Sequence, residues 1–105
     1  MQLTSYLQDG MLTIALTGEI DHHCAKGYID AISGKIEVYL PRECILDFQQ
    51  VSFMDSSGIA VVINALRSMA RINGKLLVCG LGKQPMKVFV ASGIDNLVEI
   101  KEVFS

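Results

Sequence analysis

Two apolar runs on either side of a helical period constrain this chain more than any other feature. Cys44-Ile45-Leu46-Asp47-Phe48 and Lys75-Leu76-Leu77-Val78-Cys79 both have the length and character of buried strands. Between them, Ile59, Val62, Ile63, Leu66 and Ala70 recur at helical spacing. The helix is expected from about Ser57 to Ile72, where Asn73-Gly74 suits a left-handed C-terminal cap. A strand, a covering helix and a second strand of these lengths imply a right-handed crossover between parallel neighbours. The unbroken apolar run at Cys44–Phe48 predicts a mid-sheet strand buried on both faces, followed by a short polar loop.

The flanking segments extend this unit. Leu3, Ser5 and Leu7 alternate with Gln2, Thr4 and Tyr6, and Leu12, Ile14 and Leu16 alternate again after Asp9-Gly10. This predicts a β-hairpin closed by a type I′ turn, in which both central residues take positive φ. Gly18 should end the second strand, and Asp21 should cap a helix with Ala25, Tyr28, Ile29, Ile32 and Ile36 inward, ending between Ser33 and Glu37. Pro41 closes the connection to the central strand. Gly80-Leu81-Gly82 leads into a third helix with Pro85 in its first turn, Met86, Phe89 and Val90 inward, and Gly93 after its end. Val98-Glu99-Ile100 adds a short edge strand. The expected fold is one α/β domain spanning 1–105, a mixed sheet of four to five strands with an N-terminal hairpin and helices mainly on one face.

Composition narrows the function. Half of the 105 residues are hydrophobic, ample for one core. Nine basic and eleven acidic residues, net charge −2, are spread without a basic stripe, which argues against direct binding of nucleic acid or an anionic membrane. No apolar run approaches the roughly 20 residues needed to span a bilayer, and Met1-Gln2-Leu3-Thr4 opens on strand-like alternation, so a cytoplasmic location is expected. Cys24, Cys44 and Cys79 are odd in number and widely spaced, which points to reduced, mostly buried thiols.

The candidate site is the loop before the second helix, Asp55-Ser56-Ser57-Gly58. Asp55 or Ser56 should be the N-cap, and an anion there, such as a phosphoryl group on Ser56 or Ser57, would meet the orphan amides of the helix start. Simple capping explains the same residues. Three other patterns are weaker. His22-His23-Cys24 would diverge around a helix axis and suits a solvated helix start better than a metal. Gly80-Leu81-Gly82-Lys83 lacks the later glycine or hydroxyl residue of a phosphate loop and reads as a turn. A hydrolase built on Ser56 or Ser57 lacks a G-x-S-x-G elbow, so no catalytic residue is assigned and the chain is not expected to be an enzyme.

Val51-Ser52-Phe53-Met54-Asp55-Ser56-Ser57-Gly58-Ile59 resembles the signature of the anti-sigma factor antagonists, the bacterial STAS-domain proteins, and Thr17-Gly18-Glu19-Ile20-Asp21-His22-His23 resembles their second signature. The two motifs are most similar to the sporulation type. The resemblance implies an STAS fold and a phosphorylation switch at Ser56, the serine directly after the aspartate. It further implies that the unmodified protein binds an anti-sigma factor that is also a serine kinase, freeing a sigma factor for transcription, and that a serine phosphatase restores the bound state. The implied partner face comprises Gly18, Glu19, Ile20, Asp21, Asp55, Ser56, Ser57 and Gly58. No cofactor is implied, because ATP is used by the partner. An STAS module in another stress-signalling or nucleotide-sensing complex is the alternative. Cys24 and Lys26 depart from the family pattern after the histidines, which bears on the choice of partner.

Overall fold

A computed structural model describes residues 2–101. The elements are β1 (Gln2–Gln8), β2 (Met11–Ile20), α1 (Ala25–Tyr39), β3 (Glu43–Met54), α2 (Ser57–Arg71), β4 (Lys75–Cys79), α3 (Lys83–Ser92), a 3-10 turn at Ile94–Asn96 and β5 (Glu99–Lys101). They form a five-stranded sheet in the order β1-β2-β3-β4-β5. β1 pairs with β2 antiparallel, and the other three pairings are parallel. The turn between β1 and β2 has the expected chemistry, with Asp9 and Gly10 at φ 55° and 79°.

The helices pack mainly on the face carrying Leu12, Ile14 and Leu16 of β2, Cys44, Leu46 and Phe48 of β3, and Leu76 and Val78 of β4, all buried. Tyr28, Ile32 and Ile36 of α1, Val62 and Met69 of α2 and Phe89 of α3 complete this core. Phe48 meets Phe89 edge to face, with centroids 5.7 Å apart. The opposite face is half-covered at Thr13, Ala15, Ile45 and Asp47. Leu77 is buried there too, beside an ion pair of 2.9 Å between Lys75 and Glu99 that ties β4 to β5. Burial on both faces is thus a property of β4, whereas β3 is covered fully on one face only.

Three expected boundaries move, and one helix turns a different face inward. β2 does not end at Gly18 but runs to Ile20, and β3 does not end at Phe48 but runs to Met54, so the expected polar loop is mostly strand. Irregular register lets the two strands stay paired through Glu19↔Phe53 and Ile20↔Met54. α1 passes Gly34 and ends at Tyr39, with Leu40 in the left-handed region (φ 47°). Gly34 costs that helix about 1 kcal/mol, which burial of Ile36 offsets. In α3 the inward residues are Pro85 and Phe89 with Val88 beside them, while Val90 is 57% exposed.

Candidate functional site

The extra length of β2 and β3 carries the two sequence motifs to one end of the sheet. There Ile20 is in register with Met54, and the Asp55 amide donates to the Ile20 carbonyl at 3.1 Å. The other side of Met54 is held by Gln84, from the first turn of α3. The Met54 amide donates to Gln84 Oε1 (2.9 Å), and Gln84 Nε2 donates to the Met54 carbonyl (2.8 Å). The chain entering the loop is therefore fixed by β2 and by α3.

Asp55 then starts α2. Its Oδ1 accepts from the Ser57 amide (2.8 Å) and its carbonyl from the Gly58 amide (3.0 Å), while the Ser56 carbonyl takes the Ile59 amide (3.1 Å). Ser56 already has helical backbone angles (φ −63°, ψ −17°) and makes no side-chain cap bond. The cap is thus Asp55, and the Ser56 side chain is exposed. This corrects one expectation: the Ser57, Gly58 and Ile59 amides already have acceptors, so a phosphoryl group on Ser56 would have to compete with Asp55 for the first of them rather than meet open donors.

The implied partner-face residues divide by exposure. Glu19 and Ser56 are exposed, and Gly18, Asp21, Asp55 and Ser57 are half-exposed. Ile20 has no exposed surface and enters the site only through its carbonyl. Gly58 is buried against Met54, where an added Cβ would lie 2.7 Å from the sulfur, so the helix start can pack this closely only without a side chain. Both residues shape the site from beneath, and neither offers a side chain to a partner.

Asp21 sits beside this loop and organises the start of α1 as a turn. Its carbonyl accepts from the Cys24 and Ala25 amides, and its carboxylate from the His23 and Cys24 amides at 3.0 and 3.2 Å. Hydrogen bonding from Cys24, above all, holds this carboxyl below its ordinary pKa, with smaller contributions from the His23 amide and charge. The rings of His22 and His23 do not diverge but tilt against each other, centroids 4.5 Å apart, because residues 22–24 form a turn rather than helix. Among the described residues, no group of three His, Cys, Asp or Glu side chains is placed to hold a metal ion.

Gln84 and Phe53 are site residues that sequence reasoning missed. A glutamine in a first helical turn carries no local sign of a partner 30 residues away. Phe53 is 41% exposed on the strand leading to the loop, and an exposed aromatic inside a family motif was the available clue. Cys44 and Cys79 lie away from this loop, near the start of β3 and at the end of β4. Burial pushes Cys44 up to about 12, and burial with the nearby Asp47 carboxylate pushes Cys79 up to about 11. Cys24 and Cys79 are half-buried, not buried as expected.

Comparison with known proteins agrees with this geometry. Residues 2–105 match the STAS domain family. An anti-sigma-B factor antagonist of Listeria monocytogenes is 33% identical over 95 residues, covering 88% of this chain and 80% of the relative. The phosphorylated form of the Bacillus cell fate determinant SpoIIAA superposes with a TM-score of 0.75 at 26% identity, covering 99% of this chain and 93% of that one. An anti-sigma factor antagonist from Mycobacterium paratuberculosis shares the fold, with a TM-score of 0.83 at 21% identity over 94% of this chain and 83% of that one. No helix among the described residues is long and apolar enough to cross a membrane. The chain belongs to the STAS-domain family, among the anti-sigma factor antagonists.

Proposed function

We propose that this chain binds an anti-sigma factor through the face formed by Gly18–Asp21 and Asp55–Ser57, and that phosphorylation of Ser56 ends the association. The observation that carries the reading is the state of Ser56. The residue is exposed and its side chain takes no part in capping α2, because Asp55 does that work one residue earlier. The acceptor can therefore be modified without dismantling the helix start. The named relatives support an anti-sigma factor as the partner, and the existence of a phosphorylated form of SpoIIAA, a protein of this fold, supports phosphorylation as the switch. The partner is a serine kinase that uses ATP, and a serine phosphatase returns the protein to its binding form. The chain itself supplies a surface and an acceptor, not catalysis.

Phosphorylation acts here by charge. A phosphoserine carries about −1.5 to −2 charges at neutral pH. It would stand beside Asp55, whose carboxylate keeps the Ser57 amide, so the helix dipole stabilises the phosphate while the carboxylate repels it. Placing that charge against a surface shaped for a neutral hydroxyl costs several kcal/mol across an interface, and each 1.4 kcal/mol is about tenfold in affinity. The test is a pull-down from the source cells with and without ATP, identifying the captured protein and weighing the peptide that contains Ser56 and Ser57. Capture of an anti-sigma factor that is released as one phosphate appears on Ser56 supports the proposal. Capture that survives phosphorylation, or a phosphate on Ser57 alone, refutes it.

A further inference from the structure

The hairpin edge of the sheet is strand β1, Gln2-Leu3-Thr4-Ser5-Tyr6-Leu7-Gln8, which reads nearly the same from either end. An edge strand turns every second amide and carbonyl away from its neighbour, and sheets usually guard such edges with charge, proline, a bulge or shortness. β1 has none of these guards. It is seven residues long, carries no charged residue or proline, and pairs with β2 in unbroken register. The other edge is guarded. Among the described residues β5 has three, two of them charged, and Glu99 is held in the ion pair with Lys75.

We propose that two copies of this chain pair antiparallel through β1, about a two-fold axis passing through Ser5. In that register Leu3 stands opposite Leu7 on the helix-bearing face, and Thr4 opposite Tyr6 on the other. The first is an apolar pair and the second a β-branched–aromatic pair, both of which stabilise cross-strand neighbours, and no like charges meet. The surfaces to be covered are open: Tyr6 is 62% and Leu7 45% exposed. Such a contact is isologous and closes on itself, joining two five-stranded sheets into one rather than growing a fibre.

The flank of α1 leaves room for it. Ile36, Glu37 and Leu40, at the end of α1, line a crevice with Ser68, Arg71 and Ile72, at the end of α2, so that flank of α1 faces α2. At about 100° per residue, Ala31 and Lys35 lie on the flank away from α2, and with Gly34 and Val38, which turn outward opposite Ile32 and Ile36, they line an open groove. Since α1 lies over β2 and α2 over β3 and β4, this open flank is the one toward β1. A Cβ at Gly34 would meet nothing within 4 Å, and Val38 is 74% exposed. The antiparallel arrangement points the C-terminal ends of β2 and β3 in opposite directions in the two copies. Each Ser56 loop then lies at its own pole, free to meet a partner, and the dimer stands independently of how Ser56 is used.

The experiment is sedimentation equilibrium of the whole chain with variants that charge the axis. The parent should approach twice the 11.5 kDa chain mass as concentration rises toward about 1 mM. Ser5→Lys and Ser5→Asp should each weaken dimerisation at least tenfold, because each sets like charges opposite one another, and an equimolar mixture of the two should dimerise more tightly than either alone. A parent that remains at 11.5 kDa, or a dimer that neither variant weakens, overturns the proposal. If the variants unfold, amide exchange in the parent decides: slowing of the outward-facing β1 amides with concentration supports the edge contact, and concentration-independent exchange there refutes it.

Discussion

Replacing Asp55 by alanine removes one well-defined interaction, the 2.8 Å bond from the Ser57 amide to Oδ1. The bonds from the Asp55 amide to Ile20 and from the Gly58 amide to the Asp55 carbonyl are main-chain and should survive. The expected cost is that of losing an N-cap, about 1 kcal/mol within a range of roughly 0.5 to 2. For a domain of this size about 1 kcal/mol lowers the melting temperature by roughly 4 to 8 °C. Asp55→Asn keeps an acceptor at the same position and removes only the charge at the helix start, so it should lose no more than about 0.3 to 1 kcal/mol. Thermal and urea unfolding followed by circular dichroism measure both. The reasoning fails if Asp55→Ala melts with the parent, or if Asp55→Asn is as damaging as Asp55→Ala.

Gly58→Ala places a methyl group 2.7 Å from the Met54 sulfur and should cost about 1 to 3 kcal/mol in urea unfolding, with part of the loss recovered by adding Met54→Ala. Gln84→Ala deletes both bonds to Met54 and should speed amide exchange at Met54 and Asp55 well before it affects β4, whereas equal exchange would remove Gln84 from the positioning of the loop. Asp21 has a folded-state pKa below its unfolded value, so its stabilisation is present above the unfolded pKa and is lost as pH falls through the folded one. Asp21→Asn should accordingly melt below the parent at neutral pH, and the gap should close on acidification; a gap that widens in acid contradicts the assignment.

Local chemistry carried much of the fold into the sequence. Asp9-Gly10 allows one kind of turn, and the spacing from Ile59 to Ala70 allows one kind of element; both stand where expected. What failed was length. β3 beyond Asp47 has lost β4 as a neighbour and pairs with β2 alone, so Gln49, Gln50 and Ser52 can face water and the strand looks like a polar loop. Gly34 looks like a helix end, but it occupies open space and the turn after it buries Ile36. The candidate site was legible as a motif, not as a mechanism. The sequence left Asp55 and Ser56 as equal candidates for the cap, and the backbone angles and the Asp55–Ser57 bond separate the capping residue from the exposed serine. The near-palindrome in β1 is present in the sequence, but only the strand order makes it an edge.

The central claim is that a phosphate on Ser56 spoils a surface and leaves the fold intact. Its most direct test is to measure the affinity of unmodified and Ser56-phosphorylated protein for the captured anti-sigma factor, together with the backbone amide shifts of both forms. The account predicts a loss of affinity of about 100-fold or more, corresponding to roughly 2.8 kcal/mol, with shift changes confined to residues 18–21, 53–60 and the start of α3. Equal affinities, or shift changes spread across β1, β4 and β5, would contradict it.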